Sequence, residues 1–251
     1  MKRAYPAIKE LRNSLCDSKS EFDKKNPWGY YVMRQTSFYP TWLLLRLGFS
    51  ANAATILGFI LGIIGAILII TRKHELLITG AIFVGLSQWM DYVDGNIARF
   101  RRASSDLGRF LDQACGNVLI IALGLAAGFV ATKEQHTPLK LFLADWGLKI
   151  PGVYFVVIAL LGVWFFTLRY LLSLIHDQLG AVLPSYDIGG RRTYITERIN
   201  DIVLLLVPML LLATIFNSLD IFIVIYTTLF FINVGIAALY LMKRVLQSRI
   251  R

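Results

Sequence analysis

Three aspartates at the junction of two apolar segments are the residues best suited to chemistry. The stretch from Met90 to Gly116 reads MDYVDGNIARFRRASSDLGRFLDQACG. Asp91 and Asp94 are three residues apart and so share one face of a predicted helix, while Asp112 lies on the helix that follows. Carboxylates in an apolar medium repel one another unless a cation neutralises them, and Mg2+ shares oxygen ligands with substrate phosphates. The spacing therefore predicts a metal-dependent site for phosphate chemistry.

Small residues surround these carboxylates. Gly95, Ala98, Gly108 and Gly116 leave room for a bulky ligand between the two helices. Arg99 then lies near the phosphates or acts as a counter-ion to the carboxylates. One aspartate alone would be equally well explained as an interfacial or capping residue, whereas three with interleaved Gly and Ala favour a site.

The composition and the apolar blocks indicate that the helices carrying this site span a membrane. Of 251 residues, 56% are hydrophobic and only 17% are charged, which excludes a disordered chain, a nucleic-acid partner and an ordinary soluble enzyme. The apolar residues fall in blocks of about 20, the length of a membrane span. We predict an all-α, polytopic integral membrane protein. Its six transmembrane helices are expected at residues 53–71, 77–99, 107–131, 151–175, 199–217 and 220–242.

The distribution of basic residues predicts the orientation. With six spans and a cytoplasmic N-terminus, 20 of the 26 Lys and Arg residues lie on cytoplasmic segments, five lie outside and Arg169 falls within the fourth span. Basic residues collect on cytoplasmic loops. Both termini and the aspartate site are therefore expected to be cytoplasmic.

The ends of the chain are expected to lie outside the bundle. The segment Thr41–Gly48 is too short to cross a membrane and is flanked by aromatic residues, which predicts an interfacial amphipathic helix. We therefore divide the chain into a basic tail with this helix (1–52), a membrane domain (53–242) and a basic tail (243–251). The sequence indicates no further domain.

The aspartate stretch resembles the signature of one family. The CDP-alcohol phosphotransferases, or CDP-alcohol phosphatidyltransferases, carry the pattern D-x2-D-G-x2-A-R-x8-G-x3-D-x3-D. The segment Ser50–Thr55 (SANAAT) also resembles the family's P-N-x-x-T segment without its proline. The residues that match the signature in identity and spacing are Asp91, Asp94, Gly95, Ala98, Arg99, Gly108 and Asp112.

The resemblance implies transfer of a phosphoalcohol or phosphatidyl group in phospholipid biosynthesis. A CDP-linked donor, such as CDP-diacylglycerol, would react with an alcohol acceptor in a lipid membrane, and CMP would leave. The cofactor would be Mg2+ or Mn2+, as two ions, and the protein would be a homodimer. The implied metal ligands are Asp91, Asp94 and Asp112. The implied cytidine-pocket residues are Gly95, Ala98 and Gly108, with Arg99 pairing nearby.

The sequence departs from the family pattern at Gly116, where the family has a fourth aspartate thought to bind metal and to act as the base. Three interpretations follow. Another residue is the base, with Asp112, Asp106 and His176 as candidates; or the acceptor presents an already ionised oxygen; or the protein is a catalytically silent member that binds a CDP-lipid or a partner. A transporter is a further alternative, but it usually shows repeats and broken helices, which we do not find.

A second group of basic residues could bind the acceptor. The segment GGRRTYITER, just before the fifth predicted span, resembles a basic segment of family members whose acceptor is a phosphorylated polyol. An ordinary basic cytoplasmic loop explains it equally well. An arginine buried in a span needs an anionic partner, so Arg169 in the fourth span could extend to the membrane surface, pair with a carboxylate of the site or bind an acceptor phosphate. The candidate residues are Arg169, Arg191, Arg192 and Arg198.

Overall fold

The described part of the protein is mostly helical. The computed structural model describes residues 7–15, 20, 23–24, 27–103, 105–133, 137–182 and 205–249, and it contains no strand within them, as predicted. A π-helical segment, Trp28–Arg34, leads directly into the second helix. The helices are α1 (Ile8–Asn13), α2 (Gln35–Arg46), α3 (Ala51–Ile70), α4 (His74–Arg101), α5 (Asp106–Lys133), α6 (Pro138–Asp145), α7 (Val153–Val182), α8 (Leu205–Ile215) and α9 (Leu219–Arg249).

Five of the described helices, α3, α4, α5, α7 and α9, are long and apolar enough to cross a membrane. They correspond to the first four predicted spans and to the sixth, and they confirm a polytopic membrane protein. The fifth predicted span, 199–217, contains α8, and residues 199–204 lie outside the described part of the chain. The count of six spans therefore stays a prediction.

The first compact unit, residues 1–123, is built around a close crossing of α3 and α4. A Cβ atom at Gly65 would lie 2.7 Å from the carbonyl oxygen of Gly80, and the reciprocal distance is the same. A Cβ atom at Gly58 would lie 2.8 Å from the Cβ atom of Met90. Small residues allow this approach of two backbones, as is usual where apolar helices cross in membranes. The crossing holds in place the helix that carries Asp91 and Asp94.

The N-terminal helices pack on the same unit. The segment predicted as a short interfacial helix at Thr41–Gly48 is part of a longer helical run from Trp28 to Arg46, so the predicted bounds were wrong. One side of this run is buried and joins a core with α1, α3 and α4, whereas Tyr31, Tyr39 and Leu43 on its other side are exposed. The buried core residues are Leu11, Phe38, Leu44, Leu45, Ala54, Met90, Val93 and Ile97.

The second compact unit, residues 124–251, is organised by the pairing of α7 with α9. Gly162 lets Tyr226 pack against α7, since a Cβ atom there would lie 2.6 Å from the Tyr226 ring. The rings of Phe166 and Phe230 meet edge to face with centroids 5.3 Å apart. The hydroxyl of Thr227 donates a hydrogen bond to the carbonyl oxygen of Ile158 at 2.8 Å.

Candidate active site

The residues of the aspartate motif occupy the end of α4 and the start of α5. Arg102, in the left-handed conformation with φ of 50°, ends α4 and turns the chain. The side chain of Ser105 then caps α5, because its Oγ atom accepts a hydrogen bond from the backbone N–H of Gly108 at 3.0 Å. This short connection keeps the two motif segments at the same end of the first unit.

The three aspartates interact with one another. The carboxyl groups of Asp91 and Asp112 lie close enough to influence each other electrostatically, and Asp94 lies within electrostatic range of both. Asp94 is the buried member, with 7% of its surface exposed, whereas Asp91 and Asp112 are exposed. The gathering of the three carboxylates into one metal site stays a prediction.

Asp94 is held by a residue of α3. The hydroxyl of Thr55 donates a 2.5 Å hydrogen bond to the Asp94 carboxylate, which fixes that carboxylate within the helix pair. Thr55 belongs to the SANAAT segment, in which Ser50 is the N-cap of α3 and Ala51 is its first residue. The family's proline corresponds to Ala51, the first helical position, where proline is favoured but not required.

The two motif glycines allow close approaches. A Cβ atom at Gly95 would lie 3.2 Å from a terminal nitrogen of Arg99, so the guanidinium of Arg99 passes directly over this glycine. A Cβ atom at Gly108 would lie 3.0 Å from the side-chain oxygen of Asn52 at the start of α3. Both glycines are therefore explained by packing within the site. Ala98, one turn beyond Gly95, is partly exposed.

Gly116 is surrounded by open space. A Cβ atom at this position would meet no other atom within 4 Å. The residue is one helical turn after Asp112 on α5 and is itself exposed. An aspartate side chain would fit here without moving a neighbour, so packing does not require the glycine.

The donor chemistry of the site suits a hard divalent cation. Among the residues that the structure describes, no three His, Cys, Asp or Glu side chains converge closely enough to form a metal cluster by themselves. The carboxylate oxygens of Asp91, Asp94 and Asp112 are nevertheless the ligand type that Mg2+ and Mn2+ prefer. Mg2+ commonly binds through one or two carboxylates and completes its shell with water and substrate phosphates. The residues present fit that mode.

Of the other predicted site residues, Arg169 and Asp106 have described side-chain contacts. Arg169 on α7 is 1% exposed, and its Nε atom donates a hydrogen bond to the side-chain oxygen of Asn233 at 2.7 Å. Asp106 forms a surface ion pair with Arg109 on the first turn of α5. The side chain of His176 falls outside the described part of the chain. The same holds for the basic loop residues Arg191, Arg192 and Arg198.

A buried polar network beside the motif was missed from the sequence. Arg34 bonds Asp23 at 2.6 Å and the side-chain oxygen of Asn96 at 2.9 Å, and the same oxygen accepts a hydrogen bond from Arg99. Asn96 is at a variable position of the motif, and Arg34 is 62 residues from it. The only sequence signal for this network was Arg34, a basic residue within an aromatic and apolar segment.

Comparison with protein families decides the relationship. The family model for the CDP-alcohol phosphatidyltransferases matches residues 49–239, about three quarters of the chain. The chain belongs to the CDP-alcohol phosphatidyltransferase family. The matched region begins at the SANAAT segment and includes both motif helices. No curated protein gives a significant match to this chain. The CDP-alcohol phosphatidyltransferases transfer a phosphatidyl group from a CDP-alcohol in lipid synthesis and generally use divalent metal ions.

Proposed function

We propose that this protein transfers a phosphoalcohol or phosphatidyl group from a CDP-activated donor to an alcohol, with metal dependence and release of CMP. The observation that supports this most strongly is the mutual proximity of Asp91, Asp94 and Asp112 within a chain that matches the family. Phosphoryl transfer depends mainly on positioning and on neutralisation of charge. A site of acidic oxygen ligands supplies both when it holds a divalent cation.

The motif residues divide into two groups with different roles. Asp91, Asp94 and Asp112 would hold Mg2+ or Mn2+, which would neutralise the charge of the donor's pyrophosphate when bound. Thr55 supports this by fixing the Asp94 carboxylate. The proposed nucleotide site lies around Gly95, Ala98, Arg99 and Gly108, which lie with the aspartates at the end of α4 and the start of α5.

The acceptor hydroxyl must lose a proton during the reaction. Asp112 is the proposed base because it is exposed, lies near Asp91 and is one helical turn from Gly116. Asp106 is a weaker candidate, since it is already paired with Arg109. An acceptor phosphate would be bound by basic side chains, and guanidinium groups are well suited to bind phosphate oxygens. We propose Arg191, Arg192 and Arg198 for that role, and we no longer include Arg169, because it is 1% exposed and donates a hydrogen bond to Asn233.

The membrane arrangement belongs to the same proposal. We propose that residues 53–242 form the catalytic membrane domain, with residues 1–52 and 243–251 as cytoplasmic tails. The site at the α4–α5 connection would open to the cytoplasm, and the chain would act as a homodimer. Native mass spectrometry in lipid nanodiscs would test the dimer, and a single chain per disc would reject it.

One alternative function is favoured by a specific observation. The open space at Gly116 is also what a silent member would show after losing its fourth aspartate, while retaining binding of a CDP-lipid. The two functions differ in one respect, because only a transferase forms CMP.

The deciding experiment is a CMP-release assay with the purified protein in lipid nanodiscs. CDP-diacylglycerol and other CDP-alcohols would each be combined with polyols, phosphorylated polyols and amino alcohols, with Mg2+ or Mn2+. The proposal predicts acceptor-dependent CMP for at least one combination. Binding of a CDP donor without CMP from any combination would reject the transferase and favour the silent binding protein.

A further inference from the structure

The N-terminal helical run reaches the aspartate motif through a chain of buried hydrogen bonds. Arg34, at the end of the π-helical segment, is 3% exposed and pairs with Asp23 at 2.6 Å. Its guanidinium also lies 4.5 Å from the ring centroid of Tyr92 on α4. The same guanidinium also donates a 2.9 Å hydrogen bond to the side-chain oxygen of Asn96.

Asn96 uses all of its hydrogen-bonding groups in this network. Its oxygen accepts from Arg34 and from the motif residue Arg99, both at 2.9 Å. Its amide nitrogen donates to Ser37 at 2.9 Å and to Thr41 at 3.2 Å, both on α2. An amide side chain has two lone pairs and two N–H groups, so all four are engaged. The amide therefore has one orientation, with its oxygen facing both arginines.

This geometry separates the roles of the two arginines. The charge of Arg34 is balanced by Asp23, and its side chain is buried, so Arg34 is a poor candidate for direct contact with a substrate. Arg99 is only partly buried, and it lies over Gly95 and within electrostatic range of Asp94. Arg34 and Arg99 donate hydrogen bonds to the same Asn96 oxygen. By holding Asn96 in place, Arg34 therefore also fixes the direction in which the Arg99 side chain points.

We propose that Arg34 is a positioning residue that acts through Asn96 to hold Arg99 in the orientation that binds the phosphates of a CDP donor. This inference rests on the proposed function, because it assigns a CDP donor to the motif. It makes the N-terminal helices part of the active site. Their contribution is to the affinity for the donor rather than to the transfer step itself.

A double-mutant cycle tests this coupling. The affinity for CDP with Mg2+ would be measured by titration calorimetry for wild type, Arg34→Gln, Arg99→Gln and the double variant in nanodiscs. We expect Arg34→Gln to weaken CDP binding about tenfold, in line with the loss of a hydrogen bond to a charged group. If Arg34 acts through Arg99, the double variant binds no more than about twofold more weakly than Arg99→Gln alone. Additive losses, or unchanged affinity in Arg34→Gln, would overturn the proposal.

Two further variants exclude a purely structural effect. Arg34→Lys keeps the positive charge beside Asp23 but lacks the planar fork that also reaches Asn96. We expect it to unfold near the wild-type temperature while binding CDP as weakly as Arg34→Gln, and full recovery of CDP affinity would contradict the positioning role. Arg46→Gln removes an exposed cation from α2 and should leave CDP affinity unchanged.

The CDP-binding cycle can fail independently of the CMP-release assay, because CDP binding is measured without turnover. A protein that releases CMP and shows additive losses keeps the transferase function and rejects the role of Arg34. A protein that binds CDP with the predicted coupling but releases no CMP supports the positioning role and rejects transfer. A protein that neither binds CDP nor releases CMP rejects both.

Discussion

At the scale of single residues, the site depends on how its carboxylates are held rather than on their presence alone. Asp94 is buried and bonded by Thr55, whereas Asp91 and Asp112 are exposed neighbours. A metal site loses affinity for its ion when a residue that orients one of its ligands is removed.

Replacing Thr55 with Val should weaken the metal site without unfolding the protein. The change removes the hydroxyl that donates to Asp94 but keeps the shape of the side chain. We expect the Mg2+ concentration for half-maximal CMP release to rise about tenfold, within the range for loss of a residue behind a metal ligand. Thr79→Val is the matched control, since the Thr79 hydroxyl bonds only the Glu75 carbonyl among the hydrogen bonds described for it. An equal change in both variants would refute the role of Thr55.

Replacing Gly116 with Asp should strengthen metal binding. The position is open, so the side chain fits, and a further carboxylate one turn from Asp112 adds an oxygen ligand. We expect the Mg2+ affinity, measured by calorimetry, to rise about tenfold, in line with one added charge-assisted contact. Gly116→Asn has nearly the same shape without the charge and should not produce this increase. A Gly116→Asp protein with unchanged Mg2+ affinity would show that the fourth position is remote from the ions.

At the scale of helices, the close crossing of α3 and α4 sets the position of the motif. Gly65→Leu would place a side chain against the Gly80 carbonyl and force the helices apart. Overpacking of this kind costs about 1–3 kcal/mol. We expect a lower unfolding temperature and reduced CMP release, measured in the same detergent. Gly235→Ala adds a side chain where no atom lies within 4 Å and should not lower the unfolding temperature.

The sequence predicted the helices better than their contacts. Blocks of apolar residues located the spans because span length follows from membrane thickness, and motif spacing placed Asp91, Asp94 and Asp112 on adjoining helices. The network of Arg34 with Asn96 was not predictable, because hydropathy does not indicate which polar groups pair over 62 residues. The extension of the short N-terminal helix back to Trp28 was missed because its aromatic residues favoured an interfacial segment over a packed one.

At the scale of the whole molecule, the distribution of charge predicts a cytoplasmic site. In a background with both cysteines replaced by Ser, Asp106→Cys at the α4–α5 connection should react with a membrane-impermeant maleimide only after the cytoplasmic side is exposed. Lys73→Cys, between α3 and α4, should react from the opposite side, because α4 separates it from Asp106 and most basic residues of the chain lie on the Asp106 side of the predicted topology. Labelling of both positions from one side would reject the α4 span, and a reversed pattern would reject the orientation.

The central claim is that the three aspartates support metal-dependent transfer from a CDP donor. The most direct measurement is the rate of CMP release in lipid with and without Mg2+, for wild type, Asp112→Asn and the exposed control Asp145→Asn. We predict that removal of Mg2+ or the Asp112→Asn change lowers the rate at least about a hundredfold, as is typical for a group that stabilises charge in a transition state. Asp145→Asn should release CMP at the wild-type rate. Equal CMP release by wild type and Asp112→Asn, or release independent of the metal, would contradict the account.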